Sequence, residues 1–180
     1  MTLRERAVQS ANDTLNAENR LQMASEINHI LEDLVNMANE SFLNKNLFSG
    51  TKTKVDNPFV YDGNSIEYQG NTGKINRRIS ENLTININVT GQDILDTNIF
   101  NAALDLRIAL ENDDTNEIAN TIDSIDTASE KMISLNTSIG SIQQQLELAE
   151  DRLETANLNL TTFLSETEDV DLASAITQYN

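Results

Sequence analysis

Residues 115–165 read TNEIANTIDSIDTASEKMISLNTSIGSIQQQLELAEDRLETANLNLTTFLS. Apolar or small residues fall at Ile118, Ile122, Ile125, Ala128, Met132, Leu135, Ile139, Ile142, Leu146, Ala149, Leu153, Ala156, Leu160 and Phe163. The steps alternate three and four, with one lapse of two successive threes at Ile122-Ile125-Ala128, so one continuous stripe runs along a single helix. Gly140 interrupts the composition but not the stripe. At 1.5 Å per residue the helix is predicted to be roughly 75 Å long. No small globule covers such a rod, so other helices must lie along it as an antiparallel bundle.

Upstream, a second stripe supplies that partner. Leu21, Ala24, Ile27, Leu31, Leu34, Ala38 and Phe42 recur at the same steps, which predicts a helix from about Ala17 to Phe42. A short helical pattern from Leu3 to Ala11 precedes it, broken by Asn12-Asp13-Thr14. Helix returns near Asn98, with Ile99 to Leu110 as one segment, and Asn112-Asp113-Asp114-Thr115 ends it and caps the next.

Between these halves the composition changes. Five of the six glycines and the single proline lie between Asn46 and Gly91. Strand-like segments occur at Phe59 to Tyr61, Ser65 to Tyr68, Lys74 to Ser80 and Leu83 to Val89. Asp62-Gly63-Asn64 and Gly70-Asn71-Thr72-Gly73 separate them with residues suited to positive φ. Strict alternation from Leu83 to Val89 predicts one apolar and one polar face. The reading is therefore mainly α with a small β insertion (α+β): an elongated antiparallel bundle from residues 1–43 and 98–180, and an antiparallel β-hairpin insertion from 44–97. Leu47, Phe48 and Phe59 are the candidate anchors of insertion to bundle, with ordinary local loop packing as the alternative.

Composition narrows the function. Twenty-nine acidic against twelve basic residues leave a formal charge of −17, and the only adjacent basic pair is Arg77-Arg78. Nucleic acid and anionic membrane surfaces are poor partners for such a chain. Aromatic residues make up only 4%, with no Trp and no Cys, so Leu, Ile and Ala carry the packing and thiolate chemistry is excluded. The single histidine, His29, lacks the second ligand or base that a metal site or triad requires. Glu147, Glu150, Asp151 and Glu154 read as a solvated helix face. Asp113-Asp114 and the group Glu166, Glu168, Asp169 and Asp171 lack the spacing and central glycine of a calcium loop. No cofactor, metal or catalytic residue is expected, and the chain is read as a non-enzyme. No stretch is long and apolar enough to span a membrane, and the N-terminus lacks a signal-peptide pattern.

The ends look abrupt. A methionine precedes residues already in helical register, and the stripe Leu172, Ala173, Ile176 and Tyr179 stops unfinished at the C-terminus. Both features suggest a piece trimmed at each end from a longer protein, with that last stripe belonging to an assembly helix.

Several stretches carry a family resemblance. Arg4-Glu5-Arg6-Ala7-Val8-Gln9-Ser10-Ala11-Asn12-Asp13-Thr14, and Ala24-Ser25-Glu26-Ile27 with Leu31 and Leu34, are similar to the flagellin family of bacterial flagellar axial proteins. Asn46-Leu47-Phe48-Ser49-Gly50-Thr51-Lys52-Thr53, then Pro58-Phe59 and Tyr68-Gln69-Gly70-Asn71-Thr72-Gly73, resemble the hook-associated members at the hook–filament junction. So does Leu164-Ser165-Glu166-Thr167-Glu168-Asp169-Val170-Asp171-Leu172-Ala173. The resemblance implies a flagellin-like core domain and a non-catalytic subunit joining hook-associated protein 1 to the flagellin filament. It implies copies of itself as neighbours in the full-length protein, an export chaperone, and an extracellular place on the flagellum. Export would use the flagellar type III route without a cleaved signal. With most of both terminal helices absent, this chain is expected to be monomeric. The alternatives are flagellin itself, or a non-flagellar helical adhesin or binding module.

Overall fold

In the computed structural model the described residues are 3–12, 15–80 and 83–178, with side chains described as far as 167. Four helices form the frame: α1 (Leu3–Ser10), α2 (Ala17–Ala38), α4 (Ile99–Glu111) and α5 (Thr115–Gln178), with a single short turn of helix, α3 (Gly91–Leu95), ahead of α4. The stripe residues Leu172, Ala173, Ile176 and Tyr179 lie outside the residues whose side chains are described.

The helix starts are fixed by polar side chains. Asn16 accepts the Asn19 N–H at the start of α2 (2.8 Å), and Asp114 accepts the N–H groups of Asn116 and Glu117 at the start of α5. Each satisfies donors that the first helical turn leaves unpaired, and a carboxylate there also complements the helix dipole. The Asp113-Asp114 pair is thus divided: Asp114 caps α5, while Asp113, at φ 55°, makes the α4–α5 turn and reaches Arg20.

Three ion pairs and one hydrogen bond to a backbone carbonyl report the directions. Ser10 meets Arg20, Arg6 meets Glu26, Arg4 meets Asp126 and Arg20 meets Asp113. Hence α1 runs antiparallel to both α2 and α5, and α2 antiparallel to α4. Between them Ile27, Leu31, Leu106, Leu110, Ile118 and Ile125 are fully buried, closed by Ala7, Ala102, Ala103 and Ala128. The alanines let the helices approach closely where aromatic filler is scarce. Each buried Leu or Ile contributes roughly 1.5–3 kcal/mol of hydrophobic stabilisation.

Two boundaries differ from the periodicity. The α2 stripe predicts a helix through Phe42, but α2 stops at Ala38. Phe42 instead sits exposed in β1 (Ser41–Phe42), which pairs with β2 (Lys45–Asn46). Leu43 and Asn44 both take positive φ (51° and 59°) between them, the geometry a two-residue hairpin requires. The second difference concerns α5. The sequence stripe implies cover along its whole length, yet α2 has 22 residues against 64 in α5. At 1.5 Å per residue that is about 33 Å against about 96 Å. The stripe is buried at Ile118, Ile125 and Ala128 and half-buried from Met132 to Ile142. Beyond, Leu153, Leu160 and Phe163 are 65–68% exposed.

Among the described residues the strands form three separate two-stranded antiparallel ladders: β1–β2, which starts just ahead of residue 44, β3 (Phe59–Tyr61) with β4 (Ile66–Tyr68), and β5 (Asn76–Ser80) with β6 (Leu83–Asn86). The Asp62–Ser65 turn closes the second ladder, with Asp62 Oδ1 accepting the Asn64 and Ser65 N–H groups. The alternation from Leu83 to Val89 does not make an apolar face: Ile85 is buried, while Leu83 and Ile87 stay exposed. The ladder ends at Asn86, and the Asn88 side chain takes its place, accepting the Ile75 N–H and donating to the Gly73 carbonyl. Two-stranded ladders are marginal alone, so their placement depends on what the helices offer them.

Candidate functional site

The ladders meet the bundle at one aromatic cluster. Phe59, 1% exposed, packs with Val35 and Ala38 of α2, Ile94 of α3 and Phe100 of α4. Its ring centroid lies 5.0 Å from Tyr68 and 5.6 Å from Phe100, both tilted, a favoured arrangement for aromatic pairs. Asn39, just past the end of α2, clamps the Phe59 backbone from both sides. It donates to the Phe59 carbonyl (2.7 Å) and accepts its N–H (2.8 Å). This clamp occupies the chain where helix periodicity would have continued. On the same ladder the Tyr61 hydroxyl donates to Asn28 Oδ1 in α2 (2.7 Å).

A second set of contacts gathers the loops. The Tyr68 hydroxyl lies 2.9 Å from the carbonyls of both Phe48 and Asn71 and accepts the Gly91 N–H at 3.2 Å. Asn71 Oδ1 in turn accepts the Thr51 and Gly73 N–H groups. Gly50, at φ 69°, leaves no room for a Cβ against Asn71, and Gly91 leaves none against the Tyr68 ring. Burial pushes the Tyr68 phenol above its ordinary pKa, partly offset by the N–H it receives. Tyr68→Phe is expected to cost about 1–3 kcal/mol, because the Gly91 N–H and two carbonyls lose their partner. Urea unfolding followed by circular dichroism measures the loss, and exchange at the Gly91 amide should accelerate.

The three sequence-predicted anchors take different places. Phe59 lies in the cluster and Phe48 packs partly buried at its edge. Leu47 is 45% exposed, its N–H bonded to the Glu40 carbonyl.

Thr90 caps α3 in a reciprocal box. Its hydroxyl accepts the Asp93 N–H (3.3 Å), and Asp93 Oδ2 accepts the Thr90 N–H (2.8 Å). Lys74 adds an ion pair to the same carboxylate at 2.7 Å. Burial pushes the Asp93 carboxyl up, but the Lys74 and Thr90 hydrogen bonds outweigh it and hold it below the usual carboxylate range. The charged form is therefore favoured by folding. That stability is present above about pH 4, the unfolded value, and is lost as pH falls through the lower folded value. Asp93→Asn should be less stable than the parent at neutral pH, with the gap closing towards pH 2 in acid titrations of the urea midpoint.

Elsewhere, His29 is exposed and 3.4 Å from Glu32, and Glu147, Glu150, Asp151 and Glu154 face solvent. Among the described residues no group of three or more His, Cys, Asp and Glu is placed to hold a metal. Nor, among them, is any helix long and apolar enough to cross a membrane. What distinguishes the molecule is shape: a short bundle, an insertion tied to its flank, and a helix that outruns both.

That shape has solved counterparts. FlgL from Xanthomonas campestris superposes with a TM-score of 0.78 at 18% identity, over 91% of this chain and 87% of that one. A protein assigned as flagellar hook-associated from Vibrio parahaemolyticus gives 0.76 at 22% identity, over 87% and 73%. FlgL from Bacillus cereus gives 0.72 at 21%, over 88% and 76%. The fold is that of FlgL. In sequence, residues 122–180 match the family described as the bacterial flagellin C-terminal helical region, a stretch that begins on the second turn of α5. No curated protein matches the chain in sequence. Within the FlgL fold the exposed stripe from Leu153 to Phe163 lies inside the matched segment, whereas the Phe59 and Tyr68 contacts lie outside it.

Proposed function

We infer that this chain is a non-catalytic structural subunit of the bacterial flagellum, seated at the junction where hook-associated protein 1 meets the flagellin filament. The observation that carries the reading is the FlgL fold over nine-tenths of the chain, joined to a flagellin C-terminal match on its longest helix. The physical build suits the task. A helix of some 96 Å transmits force along its axis, and its apolar residues beyond the bundle offer a seam to neighbouring helices. The neighbours are copies of itself, hook-associated protein 1 and flagellin. Phe48 and Phe59 hold the insertion on the flank of the bundle, so that it moves with the rod. The place of action is extracellular, reached through the flagellar type III exporter with a chaperone for the unassembled subunit.

Immunogold labelling of intact flagella with antibody against this chain tests the proposal. A narrow band at the hook–filament boundary is the expected result. Label along the whole filament would make the protein a flagellin, and label on the cell body away from flagella would favour an adhesin.

A further inference from the structure

The β1–β2 hairpin ends in an apolar tip that the fold does not use. Phe42 and Leu43 are 67% and 79% exposed, and Leu43 holds φ 51° where asparagine or glycine is the usual choice. A bulky residue kept at positive φ and in solvent points to a role outside the turn. The tip is also basic. Between Glu40 and Asp56 the chain carries Lys45, Lys52 and Lys54 and no acid, in a molecule of charge −17. The Asn46 N–H donates to the Thr53 carbonyl (3.0 Å) and its side chain to the Val55 carbonyl, which gathers the three lysines at the hairpin. All three are exposed, and none forms an ion pair among the described residues.

A complementary surface lies along α5. An apolar groove of about 470 Å³ is lined by Phe48, Val89, Ile94, Ile99, Met132 and Ile139 among others. Ile133, on its α5 wall, is 66% exposed. From Met132, helical steps of three, four and seven lead through Asn136 and Gln143 to Glu147, Glu150 and Glu154, with Asp151 beside them. The groove therefore continues on one helix face into exposed carboxylates. None of these four acids forms an ion pair among the described residues, and Arg78 of β5 approaches only their far end, beside Glu150 and Glu154. The seam at Leu153, Leu160 and Phe163 lies further round the helix.

We propose that the hairpin tip of one copy docks in this groove on a second copy of the chain. Phe42 and Leu43 enter between Met132 and Ile139, and the lysines meet Glu147, Glu150 and Asp151. Eight residues of helix, about 12 Å, separate Ile139 from Glu147. Two residues of strand from Leu43 to Lys45, about 7 Å, and the lysine stem cover that span. Tip and groove are different surfaces, so the contact is head-to-tail and repeats from copy to copy. It is smaller than the roughly 1,200 Å² of a stable complex, so free chains associate weakly and repetition holds an assembly. The proposal rests on the reading that copies of this chain are neighbours, but the purified protein tests it, independently of where antibody labels a flagellum.

Sedimentation velocity of the full chain from about 10 μM to about 1 mM reads the contact, with association expected at the top of the range. Lys45→Glu, Lys52→Glu and Lys54→Glu together should weaken it at least about tenfold, as should Glu147→Lys, Glu150→Lys and Asp151→Lys together. Mixing the two triple variants should restore it, because each then meets its opposite charge, with unchanged helix content as the folding control. Leu43→Asn should abolish association without lowering the thermal midpoint, since asparagine tolerates positive φ. A chain still monomeric at about 1 mM, or a mixture as dissociated as its parts, overturns the proposal. So does association that survives Leu43→Asn and disappears on Leu160→Ser with Phe163→Ser, which would place the contact on the α5 seam.

Discussion

Phe59→Ala should destabilise the protein by about 3–5 kcal/mol, the range for deleting a buried Phe side chain. The ring is 1% exposed and touches helices from both halves of the chain, so its removal leaves a void that neither half can fill alone. Tyr68 and Phe100 would each lose a ring partner. A cost of this size is a large part of the 5–15 kcal/mol that holds a typical domain. Val60→Ala, one residue on and 37% exposed, should change stability by no more than about 0.5 kcal/mol. Urea unfolding of both variants decides the matter. If Phe59 carries the attachment of the insertion, amides in β3 and β4 should exchange faster in Phe59→Ala while those of α4 and the first turns of α5 stay protected. Equal loss across the chain would mean that insertion and bundle unfold as one body.

What the sequence made legible were the features written in local periodicity. The α5 stripe predicts a helix, and the helix is there, running straight through Gly140, where an added Cβ would meet open space. Phe59-Val60-Tyr61 predicts a strand and forms one. Features set by distant contacts were not legible. Phe42 falls at a helical step, yet α2 ends four residues earlier because Asn39 is taken by Phe59, twenty positions away. The five-residue α3 is too short to show a period, although Thr90 and Asp93 at the spacing of a capping box were a usable sign. Tyr68 and Asn71 stood in a stretch that carried the family resemblance, but nothing local marks them as the hub that ties Phe48, Thr51 and Gly91 together. The stripe on α5 reads the same on either side of Ala149, because periodicity records which face is apolar and not whether anything covers it. Exposure of Leu160 and Phe163 had to come from three dimensions.

Arg20 belongs to the same illegible class, and its replacement is the second large effect. The side chain sits in the first turns of α2 and is 4% exposed. It donates to the Ser10 carbonyl (3.3 Å) at the end of α1, to the Asn12 carbonyl (3.2 Å) in the following loop, and to Asp113 in the α4–α5 turn. One guanidinium therefore joins the ends of all four long elements, using the fork geometry that an ammonium lacks. Arg20→Met keeps the apolar stem but strands two carbonyls and a carboxylate, so a loss of about 2–4 kcal/mol is expected. The upper end of the buried-pair range is not reached, since the Asp113 side chain is 45% exposed and can rehydrate. Arg20→Lys retains the charge and loses the fork. If the carbonyl bonds dominate, it should fall close to Arg20→Met; if attraction to Asp113 dominates, it should resemble the parent. Asp113→Asn separates the two further. It removes the charge at an exposed position that already has φ 55°, a conformation asparagine tolerates, so the expected cost is below about 1 kcal/mol. A cost for Asp113→Asn as large as that for Arg20→Met would reassign the junction from the two carbonyls to the ion pair.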